Sequence, residues 1–262
     1  MSEGKKEILL GDCLELMKDI PNGSIDMILC DLPYGTTACK WDTIIPFDKL
    51  WGQYERIIKP NGAIVLTASQ PFTTDLINSN RKIFRYEWIW HKNKTTGIFN
   101  AKTQPMRNHE NILVFYDNQP TYNPIMQNRT PNSHTKGEQT HLNLGIYNGS
   151  ITTSKSIKKG DLCYPKTVQY FNSVHTIGKN KTEHPTQKPV ELFEYLIKTY
   201  SNEGELILDN CAGSGTTAIA CINTNRQFIV MEKEQKYYDI ILKRVGDFNK
   251  NFELQILFGN EM

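Results

Sequence analysis

The feature that most constrains the fold is a glycine-rich turn between an apolar segment and a helical one, LILDNCAGSGTTAIA, at residues 206–220. The pattern predicts a buried strand from Glu205 to Asp209 and a helix from about Thr216 to Asn223. Gly213 and Gly215 let the backbone turn tightly and approach a ligand closely. The start of the helix offers free N–H groups and partial positive charge to an anionic group.

An acid completes this pattern, because Glu232 follows the next predicted strand (Gln227 to Met231), 17 residues after Gly215. A carboxylate there is placed to accept hydrogen bonds from both hydroxyls of a ribose. The whole pattern therefore indicates a site for a nucleoside cofactor. It does not name the cofactor, since Gly213-x-Gly215-x-x-Ala218 also fits the dinucleotide fingerprint. A dinucleotide fold needs several strands after its fingerprint, and only 44 residues follow Ala218.

The remainder of the chain alternates strand and helix patterns, with a break predicted at Lys59-Pro60-Asn61-Gly62. The predicted strands are Ser24 to Cys30, Ala63 to Thr67, Phe84 to Trp90 and Ile112 to Tyr116; the predicted helices are Asp12 to Lys18, Phe47 to Ile58, Pro189 to Tyr200 and Gln235 to Phe248. This alternation predicts an α/β fold, with a mainly parallel sheet and helices on both faces. The length of 262 residues suits one such domain with an insertion.

The segment from about Asp117 to Glu183 differs from its surroundings, since it is rich in Asn, Thr, Ser, Gly and Lys and has little periodicity. It carries eight Lys or Arg against four Asp or Glu, and aromatic residues are interleaved. The whole chain has a net charge of only +2. A long irregular stretch in a compact domain is often functional. The alternative is a solvated surface insertion.

Several other classes of protein are not indicated. The cysteines form no CxxC pair, so neither a zinc site nor a disulfide scaffold is predicted, and we expect reduced, mostly buried thiols. They are Cys13, Cys30, Cys39, Cys163, Cys211 and Cys221. No apolar run resembles a signal peptide or approaches the roughly 20 residues of a membrane helix. We therefore expect a cytoplasmic protein, bacterial or phage-encoded, with no membrane partner.

A second motif, Asp31-Leu32-Pro33-Tyr34, follows directly on the strand Ser24 to Cys30. Ligands of parallel sheets bind at the carboxyl ends of strands, and both Asp31 and Asp209 lie at such ends. Taken alone, the tetrapeptide could be a proline-containing turn with a packed tyrosine.

Four motifs in order resemble those of the amino-methyltransferases. DLPY resembles motif IV (D/N/S-P-P-Y/F/W), and DNCAGSGTT resembles motif I, often DPFxGSGTT. HPTQKPVELFEYLI, residues 184–197, resembles motif X, and GDCLELM, residues 11–17, resembles motif III. The order, with a long insertion after DLPY, resembles the permuted beta group of DNA methyltransferases. Leu32 in place of proline and Asn210-Cys211-Ala212 in place of Pro-Phe-x depart from the usual motifs.

The resemblance covers most of the chain. It implies one catalytic domain, residues 1–262, with a Rossmann-like class I methyltransferase fold. It also implies S-adenosylmethionine as the cofactor and double-stranded DNA as the partner, and it is compatible with a homodimer. Residues 117–183 occupy the place of the target-recognition region, where Lys and Arg would contact phosphates and Asn, Gln and Tyr could read base edges.

The implied reaction methylates an exocyclic amine, a poor nucleophile because its lone pair is delocalised into the ring. Asp31 and a backbone carbonyl of Leu32 or Pro33 would accept the amino hydrogens and localise the lone pair. Tyr34 would stack on the base after its extrusion from the duplex. No metal is needed, because the sulfonium carries its own leaving group. Adenine N6 is favoured, since an aspartate at position 31 is more typical of adenine enzymes than of cytosine N4 enzymes.

The resemblance also assigns the cofactor site. Asp12 and Cys13 would contact adenine, Glu232 the ribose, and Thr186 and Lys188 the methionine carboxylate. The loop around the methionine part comprises Asp209, Asn210, Cys211, Gly213, Ser214, Gly215, Thr216 and Thr217. Asp12 could instead only cap a helix, and Lys188 could be solvated.

Three further segments are candidates for the target-base side of the site. Lys40-Trp41-Asp42 could close over the base, although Trp41 could equally pack in the core. The polar stretches 90–94 and 107–110 could line the base pocket.

Rival functions remain open. They are cytosine N4 methylation, RNA or protein-glutamine methylation, a nicotinamide-dependent oxidoreductase, and a non-catalytic DNA-binding relative. The motif order favours DNA over RNA or protein. Intact Asp31 and Tyr34 argue against the non-catalytic relative.

Overall fold

Eight strands form the central sheet of the computed structural model, and helices cover both of its faces. This confirms the predicted α/β fold. The structure describes residues 5–37, 39, 42–128, 162–174 and 187–258, with the side chains of 248–258 left out. Within those residues, no helix is both long enough and apolar enough to cross a membrane.

The helices and strands are, in chain order, β1 Lys6–Leu10, α1 Cys13–Leu16, β2 Ile25–Cys30, α2 Phe47–Ile57, β3 Ile58–Ala68, α3 Phe72–Ser79, β4 Phe84–Thr96, β5 Arg107–Phe115, β6 Gln127–Asn128, β7 Leu162–Cys163, β8 Val168–Phe171, α4 Val190–Tyr200, β9 Leu206–Asp209, α5 Thr216–Asn223, β10 Gln227–Glu232 and α6 Gln235–Phe258. Two short 3₁₀ turns lie at Met17–Asp19 and Ile98–Asn100.

The order of strands in the sheet is β1-β10-β9-β2-β3-β5-β4-β8. The first five strands are mutually parallel, β5 is antiparallel to both β3 and β4, and β8 is parallel to β4. The carboxyl ends of β2, β9 and β10 therefore share one edge of the sheet. Asp31, Asp209 and Glu232 are thus brought to the same edge, although they are far apart in the chain.

Two apolar layers, one on each face of the sheet, hold the helices. Ile28 and Cys30 of β2 point into the layer covered by α1, α2 and α3. Met27 and Leu29 point into the opposite layer, which is covered by α4, α5 and α6. Side chains alternate along a strand, so a continuous apolar run is buried on both sides, as the sequence of β2 predicts.

Some predicted boundaries are wrong. The predicted break at 59–62 belongs to β3, where the pairing with β2 shifts register between Ile25 and Met27. That irregularity accommodates Pro60, which has no N–H for a ladder hydrogen bond. The last helix continues to Phe258 rather than Phe248. β1 and α3 were not predicted, because both are short and only weakly periodic.

Residues Pro124–Lys166 form a second unit, in which β6 and β7 pair antiparallel. This unit lies within the predicted insertion of residues 117–183, most of which falls outside the described residues. The predicted irregular structure is wrong at β8, which joins the central sheet beside β4. All six cysteines are free, and Cys13, Cys30 and Cys221 are buried.

The absence of a side chain at Gly215 lets the glycine-rich turn pack closely against α6. Gly215 has φ +80°, and a Cβ built there would lie 2.9 Å from Cγ2 of Ile241 in α6. Gly204 has the same φ, but a Cβ there would meet nothing within 4 Å. The two glycines therefore separate the cost of backbone conformation from the cost of crowding.

We predict that Gly204→Ala lowers the free energy of unfolding by about 1–2 kcal/mol, the cost of a left-handed alanine. Gly215→Ala should cost about 1–3 kcal/mol more, because its methyl group overpacks Ile241. Urea unfolding of the wild type and both variants measures this difference. Equal losses in the two variants would contradict the proposed packing role of Gly215.

Candidate active site

A cavity of about 320 Å³ opens at the carboxyl ends of β2, β9 and β10. Its volume is within the range of small-molecule sites, about 300–1,000 Å³. The predicted site residues that line it are Asp12, Cys13, Asp31, Leu32, Pro33, Tyr34, Lys188, Asp209, Asn210, Cys211, Gly213, Ser214, Thr216, Thr217 and Glu232. Gly215 is not in the lining, and Thr186 lies outside the described residues.

The carboxylate of Asp31 is held from three sides. Nζ of Lys188 lies 2.7 Å from both Oδ1 and Oδ2. The Tyr34 hydroxyl donates to Oδ1 at 2.8 Å, and the Thr67 hydroxyl also donates to Oδ1. In the described part of the chain, Oδ2 accepts a hydrogen bond only from Lys188. Oδ2 therefore retains capacity for another donor, and the side chain is already oriented.

Lys188 belongs to a buried row of alternating charges. Its ammonium lies 3.3 Å from Oε2 of Glu110, and Glu110 also bonds Lys92. Burial alone would lower the pKa of Lys188, but Asp31 and Glu110 raise it above its ordinary value. Burial alone would raise the pKa of Glu110, but Lys188 and Lys92 hold it below its ordinary value. Lys188 therefore stays a cation, and Glu110 an anion, at neutral pH.

The structure thus places the Lys188 ammonium on Asp31. The sequence predicts that Lys188 contacts the cofactor carboxylate, with a solvated side chain as the alternative. Lys188 is only 6% exposed, so the solvated alternative is wrong.

Tyr34 presents an aromatic ring beside Asp31. The ring stacks on Phe72, with centroids 5.2 Å apart and planes 26° from parallel. Burial raises the pKa of Tyr34, so its hydroxyl is a donor at neutral pH. Leu32 is buried in the core and Pro33 faces the cavity. The tetrapeptide therefore places two groups at the cavity: the Tyr34 ring, which packs on Phe72, and the Asp31 carboxylate, whose orientation is fixed by hydrogen bonds.

The glycine-rich turn is held by side chains on both of its flanks. Asp209 accepts a hydrogen bond from the Thr217 hydroxyl and another from the Cys211 N–H at 3.0 Å. Burial raises the pKa of Asp209 to about 6, even though these hydrogen bonds favour the anion. The buried Tyr54 of α2 donates to Oδ1 of Asn210 at 2.5 Å. These contacts fix the turn independently of any ligand.

Ser214 and Thr216 connect the same turn to other parts of the site. The Ser214 hydroxyl donates to Gln187 at 2.9 Å, and Arg244 of α6 donates to the Ser214 hydroxyl at 3.1 Å. The Thr216 hydroxyl donates to the backbone carbonyl of Lys188 at 3.3 Å. The segment carrying Lys188 is therefore fastened directly to the turn.

Glu232 lies at the end of β10 and lines the same cavity as the tetrapeptide. Its Oε2 accepts from the N–H of Gly213 and its Oε1 from the N–H of Glu234, both at 2.8 Å. Burial raises the pKa of Glu232, and the backbone donors oppose that shift. A carboxylate oxygen can accept more than one hydrogen bond, so both oxygens can still receive ligand hydroxyls.

Asp12 and Cys13 begin the short helix α1 beside this acid. Oδ1 of Asp12 accepts from the N–H of Leu14 at 2.9 Å, so Asp12 does cap the helix, and it also lines the cavity. A hydrogen bond with the Cys211 thiol lowers the pKa of Cys13. The helix-cap alternative and a cofactor role are therefore compatible.

The Asp42 carboxylate stabilises the loop that follows the tetrapeptide. It accepts from the backbone N–H groups of Gly35, Thr36 and Thr37 at 2.7–2.9 Å. Burial alone would raise the pKa of Asp42, but hydrogen bonds from Thr37 and the backbone lower it. Lys40 and Trp41, the other members of the predicted closing loop, lie outside the described residues.

Sequence reasoning missed Thr67, Phe72, Tyr54 and Arg244 as parts of the site. Strand register could have located Thr67, because Cys30 pairs with Leu66 and the next residues are Asp31 and Thr67. Glu110 lies in one of the polar stretches predicted above to line the base pocket, but the sequence does not indicate its ion pair with Lys188.

Comparisons with known proteins find similar sequences and folds. A family model described as DNA methylase matches residues 25–243. The type II methyltransferase M.HpaI of Haemophilus parainfluenzae is 26% identical over 258 residues, covering 93% of this chain and 76% of the relative. The DNA adenine methyltransferase YhdJ of Escherichia coli (strain K12) is 28% identical over 254 residues, covering 92% and 82% respectively.

Two solved structures share the fold. The M1.HpyAVI–SAM complex has a TM-score of 0.62 and 24% identity, covering 91% of this chain and 98% of that one. The cytosine-N4-specific PvuII DNA methyltransferase has a TM-score of 0.64 and 15% identity, covering 91% and 85%. At these identities the likeness shows the fold alone.

The buried Asp209 makes stability depend on pH. Its pKa is about 6 in the folded chain against an ordinary value of 3.8, so between these values the folded state binds more protons than the unfolded state. The free energy of unfolding should therefore fall, by up to about 3 kcal/mol from this group, as pH rises from 4 to 7. Asp209→Asn should lack this part of the decline.

Urea unfolding at pH 4 and pH 7 measures the effect. The exposed Asp48 provides a matched control, and Asp48→Asn should follow the wild-type profile. Parallel profiles for Asp209→Asn and the wild type would show that Asp209 ionises without penalty.

Proposed function

The chain belongs to the DNA methylase family of S-adenosylmethionine-dependent amino methyltransferases, and we propose that it methylates adenine at N6 in DNA. The observation that carries the proposal is the geometry of Asp31, which is oriented on the cavity wall with Oδ2 able to accept another hydrogen bond. An aspartate at this position favours adenine over cytosine. The similarity to a DNA adenine methyltransferase supports the same base. Membership of this family decides against a nicotinamide-dependent oxidoreductase.

The cavity fits the cofactor in the chemistry of its donors and acceptors. Glu232 can accept two ribose hydroxyls, Asp12 and Cys13 lie beside it, and the turn from Asp209 to Thr217 offers backbone and hydroxyl groups. When bound, S-adenosylmethionine supplies an electrophilic methyl group whose sulfide leaves with the bonding electron pair. These residues would hold and orient it without a metal ion.

The residues of the tetrapeptide prepare the amine. In the proposed mechanism, Oδ2 of Asp31 and a backbone carbonyl of Leu32 or Pro33 accept the two amino hydrogens. The nitrogen is thereby drawn toward sp³ geometry, and its lone pair becomes available for the new N–C bond. Tyr34, supported from behind by Phe72, stacks on the extruded base and fixes its plane.

Lys188 keeps Asp31 in place during this step. Because the ammonium contacts both carboxylate oxygens, it orients Asp31 and stabilises its negative charge in a partly buried site. After N–C bond formation the nitrogen is cationic and must lose one proton. Asp31 is the acceptor in contact with that hydrogen, and water at the cavity mouth receives the proton afterwards.

We assign target recognition to residues 117–183, since a locally cationic segment with Asn, Gln and Tyr suits phosphate and base-edge contacts. A homodimer, with which the family resemblance is compatible, stays a prediction.

The direct test is transfer of a labelled methyl group from S-adenosylmethionine to mixed-sequence duplex DNA, followed by mass analysis of the digested nucleosides. We predict N6-methyladenine from the wild type and none detectable from Asp31→Ala. N4-methylcytosine would keep the mechanism and correct the base. No methylated nucleoside from folded protein would refute the DNA assignment and favour RNA methylation or a non-catalytic role.

Lys188 permits a sharper test of its placement. We predict that Lys188→Met lowers kcat by about 10²–10³, the usual effect of losing one charge-stabilising donor. The affinity for S-adenosylhomocysteine, measured by titration calorimetry, should change little, because the ammonium lies on Asp31. A large loss of affinity with an unchanged kcat would place Lys188 on the cofactor carboxylate instead.

The matched control is Lys198→Met in α4, where Lys198 is 49% exposed and pairs only with Glu194 in the described structure. It should leave both quantities at the wild-type level. Retained S-adenosylhomocysteine binding by Lys188→Met also shows that the variant is folded.

A further inference from the structure

The hairpin of β4 and β5 ends in an apolar tip that no described residue covers. Phe99 is 99% exposed and Ile98 is 65% exposed, and both lie in the 3₁₀ turn after Gly97. Met106, across the hairpin, is 40% exposed. Removing apolar surface from water is favourable, so this exposed cluster is a candidate contact surface.

The flanks of this tip are cationic. Beyond Lys92, which pairs with Glu110, residues 93–109 contain Lys94, Lys102 and Arg107, one histidine, and no Asp or Glu. A patch that combines positive charge with a protruding aromatic residue is complementary to a nucleic acid, whose phosphates are anionic and whose bases stack on aromatic rings. Proteins that insert Phe, Ile or Met between base steps use this combination.

The hairpin is also continuous with the active site. Lys92 and Glu110, at its base, belong to the row of charges that reaches Lys188 and Asp31. Ile98 is the sixth residue after Lys92, so it lies at most about 20 Å from that base, at ~3.3 Å per residue. That distance corresponds to about six base pairs of duplex, at ~3.4 Å each. A duplex with its target base in the cavity is therefore within reach of the tip.

We propose that the hairpin tip, formed by Ile98 and Phe99, is a wedge that enters the duplex near the target base. Its apolar side chains would occupy a partly unstacked base step and so stabilise the extruded state, while the flanking cations contact phosphates. The inference rests on the proposed function, since it requires a DNA substrate that is opened for methylation.

A second copy of this chain is a poorer occupant of the tip. Stable interfaces bury about 1,200–2,000 Å² in total, far more than a two-residue protrusion offers. Two like-charged hairpins would also repel each other. DNA therefore accounts better for both the charge and the small apolar area.

The test compares Phe99→Ala with the wild type on two duplexes that carry the methylated site identified for the wild type. One duplex is fully paired, and the other has a mismatch opposite the target base. We expect Phe99→Ala to lower kcat/KM about tenfold on the paired duplex, because one stacking contact is lost. Most of that loss should disappear on the mismatched duplex, where the base leaves the stack more easily.

A control variant and a binding measurement distinguish loss of the wedge from a general structural defect. Leu242→Ala, which truncates an apolar residue 45% exposed on α6, should resemble the wild type on both duplexes. Affinity for S-adenosylhomocysteine should be unchanged in Phe99→Ala. Equal losses on both duplexes would overturn the wedge and indicate a general structural defect.

Other results would also overturn the wedge. If Phe99→Ala matches the wild type on the paired duplex, the wedge is wrong and the methylase function stands. If sedimentation shows that Phe99→Ala converts a dimer into a monomer, the tip contacts a second copy. If the wild type methylates no DNA, the proposed function fails, and the wedge fails with it.

Discussion

The contact between the Lys188 ammonium and the Asp31 carboxylate is the interaction on which the active site depends. It joins the end of β2 to the segment before α4, two parts of the chain that are 157 residues apart. Glu110 extends the contact to β5, and Thr216 fastens the backbone of Lys188 to the glycine-rich turn. A buried charge is costly without a partner, so each of these groups requires the others in place. The proposed acceptor for the amine and the proposed cofactor loop are thereby assembled together.

Sheet topology makes that assembly feasible. The parallel strands β2, β9 and β10 bring Asp31, Asp209 and Glu232 to one edge of the sheet, and apolar layers on both faces keep these strands in register. β5 runs antiparallel and delivers Glu110 to the same region. The candidate site residues are therefore far apart in the sequence, and the strands of one regular sheet bring them together.

Much of this arrangement could be predicted from the sequence, for identifiable reasons. Continuous apolar runs ending in Asp31 and Asp209 indicated buried strands with ligands at their carboxyl ends, and Gly213 and Gly215 marked the turn. The partner of Lys188 could not be predicted, because spacing along the chain says nothing about a contact with Glu110 or Asp31 across the sheet. Gly215 was assigned to the cofactor, yet its lack of a side chain makes room for Ile241. A short edge strand such as β8 depends on pairing with its neighbour β4 rather than on its own sequence pattern.

The row of four charges in the site has a consequence for the energetics of turnover. Asp31, Lys188, Glu110 and Lys92 sum to no net charge, and Lys188 and Glu110 are largely shielded from water. Dissolved ions screen buried ion pairs much less than exposed ones. Contacts between a protein and DNA phosphates, in contrast, weaken as the salt concentration rises, because dissolved cations compete for the phosphates. We therefore expect ionic strength to affect DNA binding and methyl transfer unequally. Added salt should lower the fraction of protein that is bound to DNA, and it should leave the rate of methyl transfer on bound DNA nearly constant.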